Sequence, residues 1–412
     1  MSETTEYAPG EREIVGAVIQ LWKENPAYES LGNAKLHALV QQSHPGWSLS
    51  EKRLKNVLKA HGLQANAPLF QYVSETQSHA TPDLSFPAGV KLNLTKARGK
   101  ALYATKDLKA GEKLWSEEAL VLVAPVDHVS LMRKSLACAY CARPFQARSS
   151  AGGINGVPRG GAECGSCFAQ WCNIRCKKKD LIHSAIWHNS VHSKIDLNGW
   201  IKYENYCIEN QWLAAYGYGV VLISILRDPG KGELKNQMDA MARIRQDIRQ
   251  KAVDSSSHGL AAEHYEQMWK QGWQLLKEAV GKAYDLSYEE YLYGLGMVNI
   301  NNLDGSIYLV HSHLNHSCDP NVEVKITGRT SGITVTAKRD IRGGEELLTT
   351  YVNPNDELNK RRYDLRINWG FICNCPRCKE EESALKKGDT KVLETLRPRR
   401  KSVRFDENIA EI

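Results

Sequence analysis

The segment Asn315-His316-Ser317-Cys318-Asp319-Pro320-Asn321 decides how this chain is read. Asn315 and His316 can form a buried turn whose side chains satisfy backbone groups, or the wall of a ligand cleft, and one turn can do both. Immediately downstream Val322, Val324 and Ile326 alternate, Gly328 to Gly332 turns, and Ile333, Val335 and Ala337 alternate back, which predicts an antiparallel β pair. Gly344-Glu345-Glu346-Leu347-Leu348-Thr349-Thr350-Tyr351 follows. Farther on, Phe371-x-Cys373-x-Cys375-x2-Cys378 offers three thiols at metal-ligand spacing, one short of a closed zinc site. Cys318 is the obvious fourth ligand; its alternative is a buried free thiol.

Working outward, a second β segment starts at Val90, with Leu92, Leu94, Ala101, Tyr103, Leu114, Ala119, Val121 and Val123 in alternation around the Arg98-Gly99 and Ala110-Gly111 turns. The two β halves share a turn. Lys106-Asp107-Leu108-Lys109-Ala110-Gly111-Glu112 and Arg339-Asp340-Ile341-Arg342-Gly343-Gly344-Glu345 carry the same basic-Asp-apolar-basic-small-Gly-Glu string, a weak internal repeat without a solenoid period. Between the halves, Met238, Met241, Ile244 and Ile248, then Tyr265, Met268, Trp269, Trp273, Leu275 and Leu276, predict core-facing helices over roughly residues 200 to 300. Residues 11 to 62 predict three short helices, the last carrying Lys52, Arg53, Lys55 and Lys59. That basic helix reads either as the solvated face of a helical cap or as part of a winged-helix-like DNA or partner module. Residues 63 to 88 have linker composition. Beyond Cys378 no apolar period remains, so a mobile tail is expected, with short basic, kinase-target and phosphatase-docking patterns around Ser402.

With 412 residues, 42% hydrophobic and 25% charged, 31 Gly and 14 Pro, the chain is neither fibrous nor collagen-like, and two or three domains are expected. Its most apolar run, Gly219 to Leu226, falls short of the ~20 residues that cross a bilayer. The acidic opening Met1-Ser-Glu-Thr-Thr-Glu6 lacks the pattern of a signal peptide, so a soluble intracellular protein without a membrane partner is expected. The 11 Cys sit largely in C-x-x-C groups, which in such a setting read as thiolate metal ligands. The net charge is +7, and residues 131 to 180, with nine Lys/Arg against Glu163 and Asp180, account for all of it. Such a stretch is anion-seeking or simply a solvated face.

That basic stretch holds Cys138-x2-Cys141, Cys164-x2-Cys167, Cys172-x3-Cys176 and His188-x3-His192, four ligand pairs for two closed tetrahedral zinc sites. The interleaved order resembles the MYND-type finger, in which the first pair joins the third and the second joins the fourth. The resemblance implies one site of Cys138, Cys141, Cys172 and Cys176 and another of Cys164, Cys167, His188 and His192. His192 stands where that finger usually has Cys, the gap after Cys176 is longer, and His183 is a rival ligand. Closed sets of this kind are structural, with no open position for catalysis.

Taken together, Asn315-His316-Ser317-Cys318, Gly344 to Tyr351, Phe371-x-Cys373-x-Cys375-x2-Cys378 and Lys96-Ala97-Arg98-Gly99 look like the ordered signatures of a SET domain. With the finger inserted between its β halves, the chain resembles the split SET/MYND class over about residues 90 to 378, and within it the fungal Set-five-like histone lysine methyltransferases. The resemblance implies an α+β protein: a β-rich SET fold with a pseudo-knot, an exception to unthreaded topology. The implied order is an N-terminal helical unit (1–65), a linker (66–89), the first part of SET (90–130), a double zinc finger (131–195), a helical insert (196–300), the second part of SET (301–355), a post-SET zinc segment (356–378) and a flexible tail (379–412). It further implies S-adenosylmethionine bound by Lys96, Arg98, Asn301, Asn315 and His316 with Phe371 against the adenine, Tyr351 as the catalytic residue, and about three structural zinc ions. Ala97 departs from the family's Gly, and Asn302 could exchange roles with Asn301.

The implied activity is methylation of lysines on a core histone tail, with the fourth core histone as the expected target, by a chromatin-associated protein of the nucleus or cytoplasm. Nucleosomes are the implied partner, and the basic finger could contact their DNA. The alternative is a catalytically idle SET-like scaffold that binds partners through its finger and N-terminal unit.

Overall fold

The computed structural model describes residues 7–60, 70–78, 85–95, 99–145, 162–188, 194–230, 232–257 and 262–389. Lys96, Ala97, Arg98, His192 and the tail patterns around Ser402 lie outside the described residues. The N-terminal unit has the three expected helices, α1 (Glu11–Glu24), α2 (Asn33–Ser43) and α3 (Glu51–Ala60). Ile14 and Val18, Leu36 and Val40, and Leu54 and Leu58 bury one face of each against the others, at roughly 1.5–3 kcal/mol per side chain. The unit is tied to the rest of the chain by Glu29, which accepts from the buried Arg366 guanidinium at 3.3 Å.

Strands β1 (Val90–Thr95) and β2 (Gly99–Ala104) form an antiparallel hairpin, followed by β3 (Lys113–Glu117) and β4 (Val121–Leu122). The chain then leaves the sheets for α4 (Val126–Arg133), the cysteine-rich region with α5 (Ile174–Lys179), and six helices: α6 (Leu197–Glu209), α7 (Leu213–Leu226), α8 (Glu233–Asp239), α9 (Gln246–Ser257), α10 (Ala262–Val280) and α11 (Tyr288–Asn301). It returns through β5 (Asn302–Leu303), β6 (Ser306–Ile307), β7 (Asn315–His316), β8 (Val322–Gly328), β9 (Gly332–Ala337) and β10 (Leu348–Thr349), and ends in α12 (Leu358–Trp369) and α13 (Pro376–Lys387). The two β halves interleave: β9 lies between β3 and β8, and β6 between β4 and β5. Leu102, Leu108, Ile333, Val335, Ile341 and Leu347 from both halves fill one core. The α+β class holds, with more helix than the expected β-rich description conveyed.

The weak internal repeat becomes a pair of facing turns that exchange caps. Leu108 and Ile341 form an antiparallel bridge. Asp340 accepts from the Ala110 N–H at 2.9 Å, and Asp107 accepts from the Gly343 N–H at 2.8 Å. Within each turn the closing glutamate accepts from the basic residue's amide, Glu112 from Lys109 at 2.9 Å and Glu345 from Arg342 at 3.2 Å. The shared string is thus a set of backbone-satisfying groups that closes the interface between halves.

The apolar run at Gly219 lies in α7, which is buried on nearly all sides, as expected for a core helix. No helix among the described residues is long and apolar enough to cross a membrane. Three local expectations change. Met241 and Ile244 are not on one helix with Met238 but in the segment between α8 and α9, where Arg243 bridges to Gln77. Residues 70–78 do more than link: Tyr72 is fully buried, with its hydroxyl on the Ile367 carbonyl at 3.1 Å and its amide on the Gly370 carbonyl at 3.0 Å. The expected mobile tail from 379 begins instead as helix α13, because Glu381 is buried between Arg361 and Arg377 and Ala384 packs inward.

Candidate active site and metal centres

β7 and β10 pair in parallel, Asn315 opposite Leu348 and His316 opposite Thr349, so the two signature segments run side by side and deliver Tyr351 just past the end of β10. The Tyr351 hydroxyl donates to the Leu314 carbonyl at 2.6 Å. With its proton so directed, the oxygen acts as an acceptor towards a further group. The Tyr351 amide donates to His316 Nδ1 at 3.0 Å, which leaves the ring proton on Nε2, 3.3 Å from Cys318 Sγ. One imidazole therefore joins the Tyr351 backbone to Cys318, the thiol expected to complete the C-terminal cysteine set.

The remaining side chains form the frame. Asn315 donates to the Lys100 carbonyl at 3.1 Å and to Glu346 at 3.0 Å, and Asn321 donates to the Glu346 carbonyl at 2.7 Å while accepting from the Leu348 amide at 2.7 Å. The turn's side chains thus satisfy internal groups beside Tyr351, as the first of the two readings expects. Glu117, whose carboxyl is pushed up by burial, accepts from the amides of Val310 (2.7 Å) and His311 (3.1 Å) and fixes the turn that leads to Leu314. On the other side the Trp369 ring lies 5.0 Å from that of Tyr351, its indole N–H on the Ile300 carbonyl at 3.2 Å, and Phe371 lies 6.0 Å from His316. Between these aromatics Gly370 has φ +79°, and an added Cβ would meet the Tyr72 ring at 2.4 Å, so the bend that aims both rings requires glycine.

Of the residues expected to hold a cofactor, Asn301 turns its amide to the carbonyls of Ala242 and Met297, both at 2.8 Å. Its neighbour Asn302 keeps a buried Oδ1 with no hydrogen-bond partner among the described residues. Such an orphan acceptor suits a ligand's donor group, which favours the exchange of roles left open by the sequence. Lys100 Nζ is 2.5 Å from the Ala240 carbonyl, and burial pushes its pKa down. His313, buried beside it, is pushed down to about 4 by burial, with the Lys100 charge adding to the effect.

Among the described residues, three groups of donors have all ligand atoms within 4.8 Å of one another: Cys138, Cys141, Cys172 and Cys176; Cys164, Cys167, His183 and His188; and Cys318, Cys373, Cys375 and Cys378. Four soft donors in a closed set is the chemistry of structural zinc. In the second group the fourth donor is the rival His183. The helical turn Leu181–His183, capped by Asp180, runs into a π turn at Ser184–His188, and that wider turn aligns residues five apart, with the two imidazole Nε2 atoms 3.0 Å from each other. The third group is fully buried and has its own counter-charge: Arg361 Nε lies 3.3 Å from Cys318 Sγ, its second arm 2.6 Å from Glu381, and Glu381 also takes Arg377 at 2.7 Å. Four thiolates around a dication would carry two net negative charges, and Arg361 and Arg377, less the charge of the Glu381 they share, would offset one of them. In the finger, Lys179 and Arg175 pair with Glu118, and Lys177 donates to the Glu163 carbonyl at 2.5 Å, so much of the anion-seeking charge is engaged locally.

A SET domain is matched over residues 99–352. The chain belongs to the SET-domain family. It is 51% identical to Histone-lysine N-methyltransferase SET5 of Yarrowia lipolytica over 91% of this chain and 83% of that protein. The namesake of Candida albicans is 41% identical over 92% and 82%, and that of Scheffersomyces stipitis 37% over 100% and 95%. Among solved structures, the SET domain of LSMT bound to lysine and AdoHcy is similar with a TM-score of 0.37 and 10% identity, over 72% of this chain and 55% of that one, too slight a likeness to bear on the site. Membership makes the chain an enzyme of the lysine methyltransferase class and sets aside the idle scaffold. Sequence reasoning missed Trp369, Glu346 and Arg361 as parts of this SET site. Trp369 and Glu346 stand beside residues already singled out, whereas Arg361 carries no motif and emerges only from its burial against thiolates.

Proposed function

We propose that this SET-domain enzyme uses S-adenosylmethionine to methylate lysines on core histone tails in chromatin, with the fourth core histone as the first target, and carries three structural zinc ions. The observation that carries the reading is the Tyr351 hydroxyl, fixed on the Leu314 carbonyl at the end of the parallel β7·β10 pair. The relatives' names support the histone substrate. Asn302 and Phe371, with Lys96 and Arg98, would hold the cofactor. When bound it supplies an electrophilic sulfonium methyl, so the protein's work is chiefly positioning. A free lysine of pKa ≈ 10.4 is neutral about one time in a thousand near pH 7.4, a penalty of about 4 kcal/mol. The aromatic faces of Trp369 and Tyr351 exclude water from the lysine stem and lower that pKa. The Tyr351 oxygen accepts an amine N–H and so aims the nitrogen lone pair.

The test is methyl transfer from radiolabelled S-adenosylmethionine to the separated core histones and to reconstituted nucleosomes. Label on the fourth core histone supports the reading; label on none of the histones, with cofactor binding intact by calorimetry, overturns the histone assignment.

A further inference from the structure

We propose that α3 is a docking face for double-stranded DNA, which holds the enzyme on a nucleic-acid-bound substrate. Lys52, Lys55 and Lys59 are exposed on one side of this helix, while Leu54, Val57 and Leu58 are buried on the other. Spacings of three and four residues place the ammonium groups in a single stripe that runs about 10 Å along the axis, suited to a major groove ≈ 12 Å wide.

Two observations separate this stripe from an ordinary solvated face. Some lysines elsewhere are paired locally, Lys202 with Glu278, Lys235 with Asp239, Lys270 with Glu266, Lys360 with Asp356 and Asp364, Lys386 with Glu382. Others such as Lys134, Lys178, Lys325 and Lys338 are exposed with no ion pair among the described residues, but no other described helix gathers three unpaired lysines as α3 does. Lys52, Lys55 and Lys59 have no ion pair among the described residues, and Asn56 beside them is exposed as well. The one acidic residue of α3, Glu51, sits in its first turn. Arg53, on the inner flank, is spent on the Pro9 carbonyl at 2.6 Å.

The second observation is rigidity. The turn between α2 and α3 is pinned by α2 itself: a ring nitrogen of His37 lies 2.6 Å from the Leu49 carbonyl, and Gln41 donates to the carbonyls of Trp47 (3.2 Å) and Leu49 (3.0 Å). His44 stacks on Trp47 with ring centroids 4.0 Å apart. A helix pair held in this way presents its last helix without ordering cost on binding. Through Glu29 and Arg366 the unit is fixed to α12, the helix that ends at Trp369, so docking on DNA would orient the Trp369 and Tyr351 rings. DNA is favoured over an acidic protein because the stripe is polar throughout, with no exposed apolar side chain among the described ones of α3 to anchor a peptide.

The experiment measures binding of the full-length, zinc-loaded chain to a fluorescein-labelled 30-base-pair duplex across a salt series, read by anisotropy. The variant is Lys52→Glu/Lys55→Glu/Lys59→Glu, with Lys52→Arg/Lys55→Arg/Lys59→Arg as the charge-retaining control and circular dichroism to check the fold. The expected result is at least a tenfold loss of affinity for the glutamate variant, a salt slope shallower by about 3, from ≈ 0.9 per phosphate contact, and near-normal binding by the arginine variant. Unchanged affinity and slope in the glutamate variant would overturn the proposal, as would absence of duplex binding by the parent chain, or loss confined to polyglutamate used as the probe. Because the readout is DNA binding and not methylation, its failure is distinct from failure of the histone assignment.

Discussion

His316 shows how one side chain serves two sites. It receives the Tyr351 amide on Nδ1 and faces Cys318 Sγ with Nε2. His316→Ala leaves the part-buried Tyr351 N–H without its acceptor, at about 1 kcal/mol, and frees the end of β10. Thermal unfolding should come several degrees lower and kcat should fall at least ~10-fold; a variant that kept kcat would break the link between the imidazole and Tyr351. His313 makes a pH prediction. Its folded pKa, about 4, lies below the 6.5 of an ordinary imidazole, so the unfolded chain takes the proton more readily. Stability is therefore unaffected by this group above pH 6.5 and is lost as pH falls from 6.5 towards 4. Between pH 7 and pH 5 the native chain should lose about 2 kcal/mol more than His313→Gln by urea unfolding, and parallel losses would contradict the assignment. The sequence made Asn315 and His316 visible because both their residue types and their neighbours were distinctive. It could not show that Asn301 would bond inward and Asn302 be left with the buried acceptor, since two adjacent asparagines differ only in which way the end of α11 turns them.

At the scale of the element, the post-SET cysteines are organised by helices that the thiols alone did not announce. Arg361 from α12 and Glu381 and Arg377 from α13 form a buried charge chain over the third donor group. Glu381 bridges the two arginines, while Arg361 is the cation that touches the thiols. Arg361→Ala should cost about 3–5 kcal/mol, with loss of one of three zinc equivalents by plasma emission, whereas Arg361→Met/Arg377→Met/Glu381→Leu, which removes the whole buried triad, should recover part of the stability. A single variant with full stability and three equivalents would contradict this account. The expectation of a tail mobile from 379 was mistaken because a string of Lys and Glu reads as solvated, and nothing local says that Glu381 faces a buried guanidinium. The finger offers the opposite case: C-x2-C spacing made the thiolates legible, while the π turn that pairs His183 with His188 has no sequence signature.

At the scale of the molecule, two β halves separated by a finger and six helices close into one core, and the repeated turn string is what seals them. The order of motifs told this much, since only their joint presence singled out a SET domain. The attachment of the N-terminal unit through Glu29 and Arg366, and of residues 70–78 through Tyr72, depends on contacts between residues hundreds of positions apart that no local pattern encodes. The central claim is that this framework positions the Tyr351 hydroxyl for methyl transfer to lysine. Intact mass spectrometry of core histones and nucleosomes after incubation with S-adenosylmethionine, for the native chain beside Tyr351→Phe, tests it most directly. The account predicts methyl-sized increments with the native chain and a rate lower by roughly 10²–10³ in the variant, with cofactor binding by calorimetry unchanged. Equal increments from both proteins would contradict it.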